Sequence, residues 1–307
     1  MPELPEVQTV VNDLNEKIVG HTVIDFWSDW PKAIKNKSLK NFQKEIQDRK
    51  ILNVRRIGKN IFIDLSGDKT LYIHLKMTGH LLVKTRANFQ FPISNFQKNP
   101  KSQIPNLKSH NYFSDKVNSY VHHIWYLQTK NHKLQTNLEF SDVRKFAKIV
   151  LDDTQKIAKL PEIEKLGVDA MSPEFTFKKF AEILDCKKGK SIGLVLMEQE
   201  LISGIGNIYR SEILFESGVQ SQRKISSLSL EGKKNIYKNI KKVLNKAIKM
   251  RGTSDSDYRD TNGAPGNFQK VLKVYRKAGK KCSRCGTIIK RMTLGQRSVF
   301  YCPKCQK

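Results

Sequence analysis

Residues 203–212 read Ser-Gly-Ile-Gly-Asn-Ile-Tyr-Arg-Ser-Glu. Gly204 and Gly206 let the backbone turn tightly, and Asn207 suits the cap of a helix that follows. Apolar helical runs flank the stretch, "SIGLVLMEQELI" (191–202) before it and "YRSEILFESG" (209–218) after it. The segment predicts helix, tight glycine turns, helix. A helix N-terminus with free amides binds phosphate well. A plain helix-turn-helix corner has the same spelling, so this stretch alone leaves both readings open.

The flanks extend the helical reading. In "NIYKNIKKVLNKAIKM" (235–250), Ile236, Ile240, Val243, Leu244, Ala247 and Ile248 form one apolar face, and Gly252 ends it. "SPEFTFKKFAEIL" (172–184) offers Ser172 as an N-cap before Phe177, Phe180, Ile183 and Leu184. "GTSDSDYRDTNGAPGNFQ" (252–269) is loop by composition. At the end stands Cys282-x2-Cys285-x16-Cys302-x2-Cys305. Four thiolates in two such pairs predict a closed tetrahedral zinc site on a hairpin held by its two ends. A closed site leaves no position for substrate, so this one Zn2+ is structural. The hairpin turn "TLGQR" (293–297) projects Arg297 as a candidate phosphate clamp. Cys186 stands alone and reads as a buried or half-buried thiol.

Toward the N-terminus the period changes from helix to strand. "HTVIDFW", "ILNVRRI", "NIFIDL", "TLYIHLKM", "HLLVK", "YVHHIWYL", "NLEFSD" and "AKIVLDD" are short runs joined by turn residues, which predict a sandwich or barrel. Between the fifth and sixth, about 86–118, lies a polar stretch without a period, read as a long surface loop with no assigned chemistry. Ahead of the strands, Val7, Val10, Val11, Leu14 and Ile18 predict a helix from about Leu4 to Val19. The expected fold is α+β in two domains. An N-terminal β domain (2–153) with a first helix precedes a helical domain (154–268). A zinc finger (269–307) closes the chain.

The 307 residues carry 56 Lys+Arg against 29 Asp+Glu, a net +27. Such an excess predicts a polyanionic partner, most often nucleic acid. No stretch reaches the roughly 18–20 apolar residues of a membrane span, and no secretory pattern opens the chain. A cytoplasmic monomer is the expectation. The opening itself, "MPELPEV" (1–7), is either a helix start with carboxylates near its N-terminus or something sharper.

"PELPEV", "HLKMTGHLL", "GIGNIYRSEILF", "VYRKAGKKC" and "QRSVFYC" occur here in that order. In these motifs the chain resembles the bacterial formamidopyrimidine-DNA glycosylases of the endonuclease VIII superfamily. The resemblance spans nearly everything except the polar stretch, and it implies that residues 2–153 form a catalytic β-sandwich domain and 154–268 a helix-two-turn-helix DNA-binding domain. It implies base excision repair, with removal of 8-oxoguanine opposite cytosine and of formamidopyrimidines from double-stranded DNA, then cleavage at the abasic site. It implies that Pro2, once Met1 is removed, is the nucleophile. An α-amino group has a pKa of about 7.7–8.0 in model chains, so much of it is neutral near pH 7. Attack on the sugar C1′ then gives a Schiff base and β,δ-elimination. Glu3 is implied as general acid/base, with Glu6 helping to set the site. Lys59 and His74 match contacts to phosphates near the lesion, and Asn207 joins the DNA contacts. Met77 and Phe146 match wedges that fill the gap of a flipped base, and Arg144 the arginine facing the orphaned cytosine.

Departures are visible. "DVRKFA" (142–147) stands where the family has Asp-Pro-Arg-Arg-Phe-Gly, which bears on loop stiffness. Gly193 stands where the family has a lysine, a contact that Lys187, Lys188 or Lys190 would have to replace. Leu4, where the endonuclease VIII branch has Gly, favours purines. The alternatives are the same chemistry on oxidised pyrimidines, or a zinc-containing DNA-binding protein without catalysis.

Overall fold

The computed structural model describes residues 1–87, 111–129 and 134–307. Helix α1 (Leu4–Ile18) buries its predicted stripe, Val7, Val10, Val11, Leu14 and Ile18. After β1 (Thr22–Ser28) comes α2 (Leu39–Ile46), capped by the Ser38 hydroxyl, which the sequence reading passed over. It is only two turns long and buries just Phe42 and Ile46, too little to print a period.

Seven strands follow: β2 (Ile51–Ile57), β3 (Asn60–Leu65), β4 (Lys69–His74), β5 (Gly79–Ala87), β6 (Val121–Gln128), β7 (Leu134–Asp142) and β8 (Lys148–Asp153). They form two four-stranded antiparallel sheets, ordered β1-β6-β7-β5 and β2-β3-β4-β8. Phe26, Trp125 and Phe140 of the first meet Ile63, Ile73 and Leu151 of the second and the stripe of α1 in one core. Alternation on each strand places these residues on the inner faces.

Most of the polar stretch, residues 88–110, lies outside the described residues. Its edges differ from a loop at 86–118. Residues 86 and 87 still belong to β5, and 3-10 turns cover Tyr112–Ser114 and Lys116–Ser119. Asn118 is buried, 2.8 Å from His80 Nε2, and donates to the Gly263 carbonyl. One carboxamide anchors the end of the stretch.

The second half begins with α3 (Thr154–Ala158), α4 (Pro161–Glu164) and β9 (Val168–Asp169). Then come α5 (Phe177–Asp185), α6 (Ile192–Val195), β10 (Ile202–Ser203, parallel to β9), α7 (Asn207–Glu216) and α8 (Leu230–Lys249). Thr176, not Ser172, caps α5 by accepting from the Lys179 amide at 3.2 Å. Ser172 lies in a turn that the Asp169 carbonyl closes before the helix starts. Cys186 is exposed rather than buried, because the core face of α5 ends at Ile183 and Leu184. The hairpin β11 (Lys290–Leu294) and β12 (Arg297–Tyr301) turns at Gly295 and Gln296, both with φ near +60°. That is the two-residue turn whose twist matches paired strands.

Candidate active site

Leu4 packs in the core of the helical half, whereas the rest of the α1 stripe packs between the sheets. Its amide donates to the Gly204 carbonyl at 3.1 Å. Gly204 has φ +105°, and a Cβ there would stand 2.4 Å from the Leu4 side chain. A Cβ on Gly206 would stand 2.4 Å from the Glu3 carboxyl carbon. The two glycines therefore serve close approach as well as turning. Gln199 braces the same turn, accepting from the Gly204 amide and donating to the Ile205 carbonyl.

Glu3 is buried and sits on the N-terminus of α7. Its carboxylate accepts from the amides of Gly206 (2.8 Å), Ile208 (2.9 Å) and Tyr209 (3.3 Å). The amides expected to meet phosphate are thus filled by a side chain from the other end of the chain. Asn207 does not cap. It is the first helical residue, Gly206 takes the cap position, and the Asn207 carboxamide oxygen accepts from Arg210. A full negative charge outcompetes a neutral amide at a helix N-terminus.

Glu6 lies one turn further and is also buried. It accepts from the amides of Glu3 and Thr253, both at 2.7 Å, and from the Tyr209 hydroxyl. Burial first, and then the neighbouring Glu3 charge, push its pKa up to about 7. Pro2 is buried beside these carboxylates in sequence, and Met1 is exposed. Lys59 occupies the β2–β3 turn. A lysine in a turn reads as surface, yet it is buried and donates to the Ile205 carbonyl at 3.1 Å. Burial lowers its pKa, and Glu3 and Glu6 oppose that shift. His74 Nδ1 accepts from the Lys76 amide at 2.9 Å, which leaves Nε2–H as a donor. Burial, with Lys76 and Lys59, lowers its pKa to about 3, so it acts as a neutral donor.

Met77, Arg144 and Phe146 form a second group. Met77 and Phe146 are 42% and 52% exposed, rare for large apolar side chains. Arg144 Nη1 lies 3.2 Å from Met77 Sδ, and its guanidinium stands 4.8 Å from the Phe146 ring centre. Asp142, fully buried, organises the loop. It accepts from the Thr78 hydroxyl and from the amides of Arg144 (3.2 Å), Phe146 (2.9 Å) and Ala147 (3.0 Å). These bonds hold the loop in shape with Val143 where the family has proline. Lys145 takes φ +55° within it.

The third group lies at the zinc hairpin. Arg297 is exposed at the tip, and its charge reaches Lys59 and Arg210. The four sulfurs of Cys282, Cys285, Cys302 and Cys305 lie within 4.8 Å of one another. Zn–S bonds of about 2.3 Å in a tetrahedron require sulfurs about 3.8 Å apart. Contacts of 3.9 Å for Cys282–Cys305 and 3.4 Å for Cys285–Cys302 fit that ion and are too long for disulfides. One structural zinc belongs there.

Several site residues escaped sequence reasoning. Tyr209 and Thr253 act through contacts between distant segments that local spacing does not mark, and Gln199 braces the glycine turn five and six residues on without a motif to flag it. Asp142 stood in both the quoted "NLEFSD" and "DVRKFA" runs without an assigned role. Gly193 is buried, its amide bonds the Ser221 carbonyl, and Lys190 is paired with Glu198. Arg210 is the cation that reaches Gly193.

Three family models match in chain order. They are the formamidopyrimidine-DNA glycosylase N-terminal domain (residues 1–149), its H2TH domain (166–259), and the zinc finger found in FPG and IleRS (279–307). The formamidopyrimidine-DNA glycosylase of Carboxydothermus hydrogenoformans is 36% identical over 307 residues, with both chains covered in full. Lactococcus lactis Fpg in complex with abasic-site DNA superposes with TM-score 0.79 at 28% identity, over 99% of each chain. The same wild-type protein with oxidised-pyrimidine DNA also gives TM-score 0.79 and 28% identity, over 100% of each. With matched models over most of its length and a full-length relative above 30% identity, the chain belongs to the formamidopyrimidine-DNA glycosylase family.

Proposed function

We propose that this protein is a bifunctional DNA glycosylase and abasic-site lyase of base excision repair, acting on oxidised purines. The carrying observation is the buried carboxylate pair behind Pro2, with Glu3 clasped by the amides of α7 and Glu6 poised near neutrality. With Met1 in place the Pro2 nitrogen is an amide and cannot attack. Once Met1 is removed, the secondary amine bonds C1′ of the damaged nucleotide as the C1′–base bond breaks. The base leaves with a proton, and Glu3 shuttles protons on the sugar. The C1′–O4′ bond then opens as Glu3 delivers a proton to O4′, leaving an iminium at C1′; this acidifies the C2′ proton, whose loss expels the 3′ phosphate, and a second elimination expels the 5′ phosphate.

Lys59, His74, Asn207 and Arg297 supply donors for the DNA backbone, and Met77, Arg144 and Phe146 occupy the gap. Residues 2–153 would be the catalytic unit, 154–268 the helical DNA-binding unit and 269–307 the finger. The protein would work as a monomer in the bacterial cytoplasm. A second reading, oxidised pyrimidines, is favoured by the L. lactis relative solved with such DNA.

Borohydride trapping on a duplex with 8-oxoguanine opposite cytosine tests the proposal. Wild type should give a reduced adduct mapped to Pro2 by mass spectrometry, and Pro2→Gly should give far less. An adduct formed faster on thymine glycol would move the substrate to pyrimidines. No adduct on either lesion or on a plain abasic duplex, with Met1 shown to be absent, would overturn the enzymatic reading.

A further inference from the structure

Arg210 is the largest charged side chain that α7 buries, and its relative exposure is 0%. Among the described residues no carboxylate pairs with it. Burying an unpaired charge is expensive, and stability alone gives no reason to keep one. Its guanidinium reaches three elements. It donates to the side-chain oxygen of Asn207 on α7, to the Ser298 carbonyl on β12 at 3.4 Å, and to the Gly193 carbonyl on α6 at 3.5 Å. Its Nε has no partner.

These contacts have a direction. A guanidinium only donates, so the atom of Asn207 facing it is the oxygen, and the amide nitrogen is left to donate elsewhere. Ser298 directly follows Arg297, so holding the Ser298 carbonyl fixes the strand from which Arg297 projects. Gly193 lets α6 lie close against the Ser221 segment and the zinc hairpin, because a Cβ there would stand 2.7 Å from the Ser221 carbonyl oxygen and 3.2 Å from the Leu294 side chain. Burial lowers the guanidinium pKa to about 10, which keeps it charged at neutral pH, and Glu3 and Arg297 are the charges acting on it.

We propose that Arg210 is a positioning residue for phosphate capture: it orients the Asn207 carboxamide and ties α7 to the zinc hairpin, so that Asn207 and Arg297 converge on one backbone phosphate. The inference rests on the DNA-binding part of the function proposed above.

The test uses the full zinc-loaded chain and a duplex carrying a tetrahydrofuran abasic analogue, which the enzyme binds without chemistry. Kd is measured against salt for wild type, Arg210→Met, Arg210→Lys, Asn207→Ala and the Asn207→Ala/Arg210→Met pair. Arg210→Met should weaken binding about tenfold and lower the salt slope by about 1, the signature of one lost phosphate contact. Arg210→Lys should recover part of the loss. The double variant should lose less than the sum of the two single losses, because Arg210 acts in part through that carboxamide. On an 8-oxoguanine duplex, Arg210→Met should raise KM and leave kcat within about threefold. Wild-type binding by Arg210→Met, or additive losses in the double variant, overturns the proposal. Should Arg210→Met fail to fold, Arg210→Lys with and without Asn207→Ala gives the same cycle, and additivity there is equally decisive. Failure of the enzymatic reading would appear as a missing Schiff base in wild type, an outcome separate from this binding cycle.

Discussion

Glu6 is held between three donors that favour its charge and a burial that opposes it, and burial prevails. The sign of the consequence follows from linkage. A carboxyl whose folded pKa of about 7 exceeds its unfolded value of about 4.5 binds more protons when folded. Its stabilising share is complete below the unfolded value and is lost as pH rises through the folded one. Denaturant unfolding of wild type and Glu6→Gln between pH 4.5 and 8 should show the difference moving in favour of glutamine by about 3 kcal/mol. A difference constant with pH would mean that Glu6 stays ionised throughout. At this scale spacing made the four cysteines legible, whereas Pro2 and Glu3 were nominated only through the resemblance. The sequence could not announce the Glu6 shift, because Tyr209 and Thr253 lie over 200 residues away in the chain.

Among the elements, the β7–β8 turn shows how one side chain can stiffen a loop that lacks proline. Asp142 spends both carboxylate oxygens on amides of its own turn. Asp142→Ala should cost about 1–3 kcal/mol by stranding buried amides. It should also slow 8-oxoguanine excision at least tenfold, by releasing Arg144 and Phe146. Trapping on a preformed abasic site should suffer less, because no base then has to be expelled. Equal losses on both substrates would assign Asp142 to general stability alone. The strands were legible as short apolar runs between turn residues, and β3, β4 and β6 are buried in near-continuous runs rather than alternately. The short helices α2, α3 and α4 were not legible, since four to eight residues carry at most two buried positions each. Met77 and Phe146 defied burial logic: they look like core in a sequence and stand in solvent here.

For the molecule as a whole, the finger is fastened to the helical half by more than its metal. The Arg284 guanidinium stacks 4.4 Å from the Phe215 ring centre, and the Gln306 side chain donates to the Val219 carbonyl at 2.9 Å. Zinc removal should therefore unfold a docked module, loosening Arg297 and Ser298 together, and DNA binding should be lost while the sheets persist. Retained binding after confirmed zinc loss would contradict this. The order of β half, helical half and finger was readable from composition and period. How the halves meet was not, since it depends on Leu4 and Glu3 crossing into the second core.

That crossing has a consequence during synthesis. The amine end leaves the ribosome first, yet the amides that seat Glu3 belong to residues 206–209, made some two hundred codons later. A partly made chain, or one cut short before α7, exposes Pro2 without the cradle that aligns the carboxylate behind it. On the proposed chemistry, strand cutting then belongs only to a chain made past α7, in which the carboxylate behind Pro2 is seated.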